Sequence, residues 1–445
     1  MSVEILDRIT EATYSKALAL KPDDISIISA YSEESMLRFS NNSVTVIDTL
    51  KEVVVFLYMA KEEKKVVGAT STVNESNLDS FVERLFSSIK FTEKSVDYVP
   101  LPKIKSISTS RNYDSRIEKL GEKIVDLGGE AINAALREGA ERVSGVLTAN
   151  TESYKIKTSG GAENSDKVTS ISINVRAFSG TNSSGHGLSC AASLPNFNGV
   201  EAGSTAGRFA KESQKTGHWE EGEYTLIMGP TVTADFLEIV GYSSSAFRVD
   251  AGTSFLKDSL GKKIATEDLT LEDYGAIEGG LAGRSFDDEG VPTQRTGIID
   301  KGTLQTYLHN SSTAKKYGTK TTGNAGIIAP HPWNLVVKSG KSDLDEMIRE
   351  TKKGVYVTNN WYTRYQNYVA GEYSTLPRDA TFLIENGSIK YAINGIRISD
   401  NVPRQLLNIK GIGKERKWIE WWEVETPILT PALVIDNVAI TKAQL

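Results

Sequence analysis

The sequence predicts an α+β protein: an N-terminal half of two helix–strands–helix units, then a C-terminal half that is a largely antiparallel β domain. A helical pattern, several strand candidates and a second helical pattern occur between residues 1 and 105, and the same order returns between 106 and 221. From 222 to 445 strand signals dominate, and Asn386-Gly387 stands between two strand-like runs as a two-residue hairpin turn. The chain has 445 residues; at about 150 per domain this allows two or three domains and ample buried core.

In the first unit Leu6, Ile9, Thr13, Ala17 and Leu20 share one helical face, and Pro22 stops that helix. Residues 25–30, 36–39, 44–48 and 53–60 read as four strands, with Asn41-Asn42 as a turn. Asn74 can cap the next helix, whose apolar face runs through Leu78, Phe81, Val82, Leu85, Phe86 and Ile89. Residues 95–112, with Pro100 and Pro102 among serines and lysines, read as a linker. Asp114 then caps a helix with Ile117, Leu120, Ile124, Leu127, Ala131 and Ala134 on one face. Strands are expected at 143–149, 153–158, 170–178 and 188–192, and a small-residue helix at 201–215. Beyond 222, helices are expected at 232–244 and 344–351, and strands at 355–358, 362–368, 381–385, 388–393 and 395–399.

Composition narrows the function. Lysine plus arginine is 51 against 57 acidic residues, a formal charge of −6, which argues against a protein that binds nucleic acid through phosphate neutralisation. The longest apolar run, 53–60, is far short of the roughly 20 residues of a membrane helix. The N-terminus has neither a basic nor an apolar signal region, so a cytoplasmic location is expected. The single cysteine, Cys190, allows no intrachain disulfide. HExxH, the GxxxxGK[ST] phosphate loop, the dinucleotide fingerprint and the GxSxG elbow are all absent.

Several blocks in the C-terminal half carry a resemblance. They are Phe286-Asp287-Asp288-Glu289-Gly290-Val291-Pro292-Thr293, then Gly302-Thr303-Leu304-Gln305-Thr306-Tyr307-Leu308, and Thr322-Gly323-Asn324-Ala325. Gly354-Val355-Tyr356-Val357-Thr358, Gly371-Glu372-Tyr373-Ser374, Ile384-Glu385-Asn386-Gly387 and Gly395-Ile396-Arg397-Ile398-Ser399-Asp400-Asn401 follow. In order and spacing they resemble the TldD/PmbA family, described as metallopeptidases or their subunits and earlier as modulators of DNA gyrase. The resemblance implies a zinc site in TldD-type members, built from HExxxH on a helix and a cysteine near the C-terminus.

Here the matching helix carries Glu238 at the glutamate, with Leu237 and Tyr242 where the histidines stand, and Ile412 falls in the cysteine's place. Leucine and isoleucine have no donor atom, and neutral tyrosine is a poor zinc ligand. Glu238 is then a vestigial base or an ordinary helix glutamate. As a base with no metal it would face water of pKa about 15.7. The resemblance is therefore to the PmbA (TldE) type. It implies no cofactor in this chain, zinc in a TldD-like partner subunit, and unfolded or extended peptides as ligands; a homodimer is possible when the chain is alone.

The stretch 356–373 alternates aromatic, polar and small residues, which suits strand addition to an extended peptide. Its candidate substrate-binding residues are Tyr356, Val357, Thr358, Tyr362, Thr363 and Arg364. Other groupings have two readings each. His186 and Cys190 can be two ligands or a satisfied buried pair. Asp287, Asp288 and Glu289 can hold a hard cation or shape a turn. Trp418, Trp421 and Trp422 suit a partner surface or core packing. Two alternatives stand beside the subunit reading: a self-sufficient metallopeptidase built on Glu238, His309 or His331, and a homodimeric peptide-binding or regulatory module.

Overall fold

The computed structural model describes residues 2–104 and 112–443. In chain order the elements begin with α1 (Ser2–Ala19), β1 (Asp24–Ser40), β2 (Ser43–Lys61), β3 (Lys64–Thr70) and α2 (Glu75–Ser88). Next come α3 (Ser115–Glu118), α4 (Lys123–Arg137), β4 (Arg142–Thr158), β5 (Glu163–Ser179), β6 (Ser183–Ala191) and α5 (Gly199–Glu212). The C-terminal half opens with β7 (Gly222–Met228), α6 (Pro230–Ser243), α7 (Ala246–Asp250), β8 (Leu271–Tyr274), β9 (Arg295–Asp300) and β10 (Thr303–Leu304). It continues with α8 (Ser311–Lys316), β11 (Leu335–Val337), α9 (Leu344–Glu350), β12 (Lys353–Asn367), β13 (Glu372–Glu385), β14 (Ser388–Ala392) and β15 (Ile396–Asn401). The last elements are α10 (Val402–Leu407), β16 (Ile409–Ile412), β17 (Lys417–Trp421), β18 (Val424–Thr430) and β19 (Leu433–Lys442). About a quarter of the chain is helix (25%) and 42% is strand, a mixed α+β architecture.

The N-terminal half is a curled antiparallel sheet of strand order β3-β2-β1-β4-β5-β6. The two units thus join edge to edge through β1 and β4, which pair from Ser26↔Thr158 to Phe39↔Gly145. Each unit contributes three strands instead of the four expected. The pairs 25–30 with 36–39, 44–48 with 53–60, and 143–149 with 153–158 each fuse into one long strand. The polar intervening residues resemble a break, yet they stay in register across both neighbours, as at Glu33↔Lys51 and Glu33↔Thr151. The expected Asn41-Asn42 turn is present, with φ of 49° and 67°. These values match the turn geometry that follows the strand twist. A second such turn at Glu62-Glu63, with φ of 51° and 66°, carries no Asn or Gly signature, so β3 was not expected.

Helices α1 and α2 bury Ile9, Ala17, Leu78 and Val82 against Ile25, Ile27, Val55 and Leu57 on the sheet. Over the second half, α4 and α5 cover Leu147, Ile171, Ile173 and Val175. The helix expected after Asp114 is in fact two. The Asp114 side chain accepts from Arg116 N–H at its start, but Gly121 takes φ +53° and breaks the run before α4. Residues 105–111 of the expected linker lie outside the described residues.

The C-terminal half combines a mixed barrel and a mixed sheet. Strands β12-β7-β19-β15-β13 pair in turn, and β13 returns to β12, closing a five-membered ring. A six-stranded sheet, β10-β9-β8-β11-β18-β17, lies beside it. Most pairings are antiparallel as expected, but β12–β7 and β11–β18 are parallel. A parallel pair needs a crossover connection and leaves no local turn signal. The Asn386-Gly387 hairpin joins β13 to β14, with φ of 49° and 79°. The shared apolar core runs from β7 through α6 to β18 and β19.

Candidate functional site

Helix α6 starts after Gly229 with Pro230 at its first turn, where a missing N–H costs nothing. Almost every side chain on it is buried, and it packs against β12 on one side and β18 on the other. Gly241 permits the approach to β11: an added Cβ would stand 2.4 Å from a Leu335 methyl carbon. The helix therefore runs through core on all sides, and any polar group on it is desolvated.

The structure places the sequence-derived positions as follows. Leu237 is 0% exposed and belongs to the same apolar cluster as Ile412 on β16. Glu238 lies on the β18 side, where its Oε1 accepts the Thr426 N–H at 2.6 Å. Burial, reinforced by the neighbouring Asp235 carboxyl, pushes Glu238 up to about 8. Tyr242 is half-buried beside Thr426, with the Arg248 guanidinium carbon 5.4 Å from its ring centre. The positions that the resemblance aligns with zinc ligands thus hold two hydrocarbon side chains in core and one phenol. Zinc does not fit this set, because it offers no thiolate, imidazole or second carboxylate. Among the described residues no group of three His, Cys, Asp or Glu side chains stands together as a metal site. His309 instead contacts Thr313 and Tyr317, and His331 packs against Trp333.

The segment 356–373 divides in two. Over Gly354–Val357, β12 is paired on both flanks, with β13 and with β7. Tyr356 stacks on Phe382 at 6.2 Å, Val357 is fully buried, and the Thr358 hydroxyl donates to Ala380 O at 2.6 Å. This part offers no free edge, so strand addition at Tyr356 and Val357 is blocked by the ladder itself, while Thr358 falls at a bulge. From Asn359 to Asn367 the strand pairs with β13 alone, through bulges between Trp361 and Arg364 and between Tyr365 and Asn367. Tyr362 has φ +56° and is 53% exposed, but its N–H donates to Glu423 Oε1 at 2.9 Å. Arg364 lies over the Tyr362 ring, 5.0 Å from its centre, and 3.9 Å from Glu423. Thr363 instead turns inward.

That inward turn reveals a polar cluster that the sequence reading missed. Asp235 of α6 is fully buried, and its Oδ2 accepts short hydrogen bonds from the Asn360 amide and the Thr363 hydroxyl. Thr363 also meets Thr375 of β13 at 2.8 Å. Burial, outweighing these bonds, raises Asp235 to about 7. Above the cluster Trp361 stacks on Tyr362 at 5.2 Å and meets Trp422 edge-on at 5.0 Å. The Arg378 guanidinium sits 3.2 Å over the Trp361 ring. Trp422 is 54% exposed, Trp421 stacks near His186 of β6 at 5.0 Å, and Trp418 packs beside buried Cys190. Cys190 also donates to Glu420 O at 3.3 Å. The available signal for Asp235 was two carboxyls, i and i+3, on a helix otherwise too apolar to face water.

Asp287 is a turn builder. Its Oδ1 accepts the N–H groups of Glu289 and Val291 and its Oδ2 that of Ala325, all within 3.0 Å. Asp288 pairs with Arg284 at 2.9 Å.

The barrel, its adjoining sheet and the buried α6 form a C-terminal domain of the metallopeptidase type, joined to a curled N-terminal sheet. The profile of the PmbA/TldA metallopeptidase C-terminal domain matches residues 221–442, and this chain belongs to the TldD/PmbA family. It is 37% identical over 163 residues to the metalloprotease PmbA of Escherichia coli O157:H7, covering 37% of this chain and 35% of that one. It is 29% identical over 201 residues to a metalloprotease of Methanocaldococcus jannaschii, 44% of each chain. These alignments span less than half the length of either relative. In three dimensions the solved TldE of Thermococcus kodakarensis superposes with a TM-score of 0.85 at 19% identity, covering 98% of this chain and 100% of the other. Among the described residues no helix is long and apolar enough to cross a membrane.

Proposed function

We propose that this chain is the metal-free, PmbA/TldE-like subunit of a cytoplasmic two-chain metallopeptidase. It would help enclose and bind unfolded peptides while a TldD-like partner supplies zinc. The observation that carries this reading is that Leu237 and Ile412, two of the three positions the resemblance aligns with zinc ligands, are sealed in apolar core, and the third is the phenol of Tyr242. The 37% identity to a PmbA supports the subunit type. Leu237, Tyr242 and Ile412 would give Glu238 no ligand set to hold a metal-bound water, and its carboxyl accepts a backbone N–H. The outer half of β12, Asn359–Asn367, with Tyr362 and Arg364 on its exposed side, is the wall we assign to the peptide. There, main-chain bonds would hold an extended chain largely regardless of its sequence.

The test is reconstitution with a TldD-like chain bearing HExxxH from the same genome, using an unstructured peptide as substrate. Cleavage is expected from the mixture and not from this chain alone. Cleavage by this chain alone would establish a self-sufficient enzyme. A mixture no more active than the partner by itself would leave a homodimeric binding module.

A further inference from the structure

The face of the N-terminal sheet turned away from α1 and α2 packs against the C-terminal half, with Ile28 and Ile156 meeting Phe286. On it Ser26 stands opposite Tyr58 and Ile28 opposite Phe56, while Lys65 reaches in from β3. Loops of the C-terminal half close over this face with Glu289, Asn310 and Ile327. Between them lies an open-mouthed pocket with a cavity volume of about 70 Å³.

Its chemistry is polarised. Ile28, Phe56, Leu101 and Ile327 make an apolar wall. Glu289 uses Oε2 to accept both the N–H and the hydroxyl of Ser311, at 3.0 and 2.5 Å. Its Oε1 has no hydrogen-bond donor among the described residues. Across the pocket the half-buried Lys65 ammonium has no ion-pair partner within 4.0 Å among the described residues. The two charges sense each other but do not touch. Asp288, the other acid in the lining, is already neutralised by Arg284.

We propose that this pocket binds a free apolar α-amino acid. Its carboxylate would pair with Lys65, its ammonium with Glu289 Oε1, and its side chain would lie on the Ile28–Phe56 wall. A simple anion would meet Lys65 but face the Glu289 carboxyl, and a simple cation the reverse; a zwitterion satisfies both. Burial and the nearby Asp288 carboxyl raise the Glu289 pKa from its ordinary value; an ammonium seated on Oε1 would favour the carboxylate and bring it back down. The peptidase reading is not needed for this inference, which concerns binding by the isolated chain.

Titration calorimetry on the full chain tests it, with L-leucine and L-phenylalanine as probes. The controls are 4-methylpentanoate, which lacks the ammonium, and isopentylamine, which lacks the carboxylate. Saturable binding of one amino acid per chain is expected. Each control, and each of Lys65→Met and Glu289→Gln, should bind about tenfold or more weakly, as loss of a charged hydrogen bond implies. Should Glu289→Gln misfold, Lys65→Met on the half-buried strand β3 decides alone. No binding at millimolar ligand, controls that bind as well as the amino acids, or variants that bind like the unaltered chain would overturn the proposal.

Discussion

Asp379 ties the two halves of the chain together through a single buried carboxylate. It accepts from Arg176 of β5 at 2.6 Å, from Ser184 of β6 at 2.7 Å and from Asn359 of β12 at 2.9 Å. Burial alone would raise its pKa, but Arg176 and the hydrogen bonds outweigh it, so the carboxyl lies below its ordinary value. A depressed carboxylate stabilises the fold above the unfolded pKa, and that contribution is lost as pH falls through the folded value. Arg176→Met should therefore cost about 3 kcal/mol at pH 7, near the lower end for breaking a buried pair because Arg176 is partly exposed. Chemical denaturation at pH 7 and below pH 4 checks this, and the deficit should shrink at the acidic end.

Glu238 has the opposite sign. Its folded pKa of about 8 exceeds its ordinary value, so the folded state holds a proton that the unfolded state releases at neutral pH. Its contribution destabilises the fold increasingly between about pH 4.5 and 8. Glu238→Gln should flatten that slope, because the amide oxygen can still accept the Thr426 N–H. It should also leave cleavage by the reconstituted pair within about twofold, where loss of a true general base costs about 100-fold or more.

At the scale of elements, glycines decide how closely α5 can approach its neighbours. A Cβ on Gly203 would stand 2.1 Å from Ala131 O of α4, and one on Gly187 of β6 would stand 1.9 Å from Ala202 O. Both contacts are backbone and cannot swing aside. Gly203→Ala should thus destabilise by about 1–3 kcal/mol or more, as overpacking does. Gly129 in α4 has nothing within 4 Å of an added Cβ, so Gly129→Ala should stabilise by about 0.5–1 kcal/mol through helix propensity. Thermal melts of the two variants should move in opposite directions.

These elements were unevenly legible in the sequence. Helices α6 and α9 showed as short helical runs, and α2 showed because its apolar spacing and its Asn74 cap are local. The hairpin turns at Asn41-Asn42 and Asn386-Gly387 showed for the same reason. The continuity of β1 through Tyr31–Ser35 did not show, because pairing with β2 and β4 overrides a polar stretch that looks like a break. The same holds at the site. The family resemblance, followed residue by residue, is what singled out Leu237, Tyr242 and Ile412. The bond from Asp235 to Thr363, 128 residues away, and the two-sided pairing of Val357 depend on how the barrel closes.

For the whole molecule, the proposal rests on a chain that keeps the architecture of a metallopeptidase family while the positions aligned by resemblance with zinc ligands hold hydrocarbon and phenol. The zinc content of the isolated full-length protein, counted per chain by elemental analysis after mild dialysis, addresses this most directly. Far less than one zinc per chain is the predicted result, unchanged when His309 or His331 is replaced by alanine. About one zinc per chain, lost on replacing either histidine, would contradict the account and return the catalytic site to this chain.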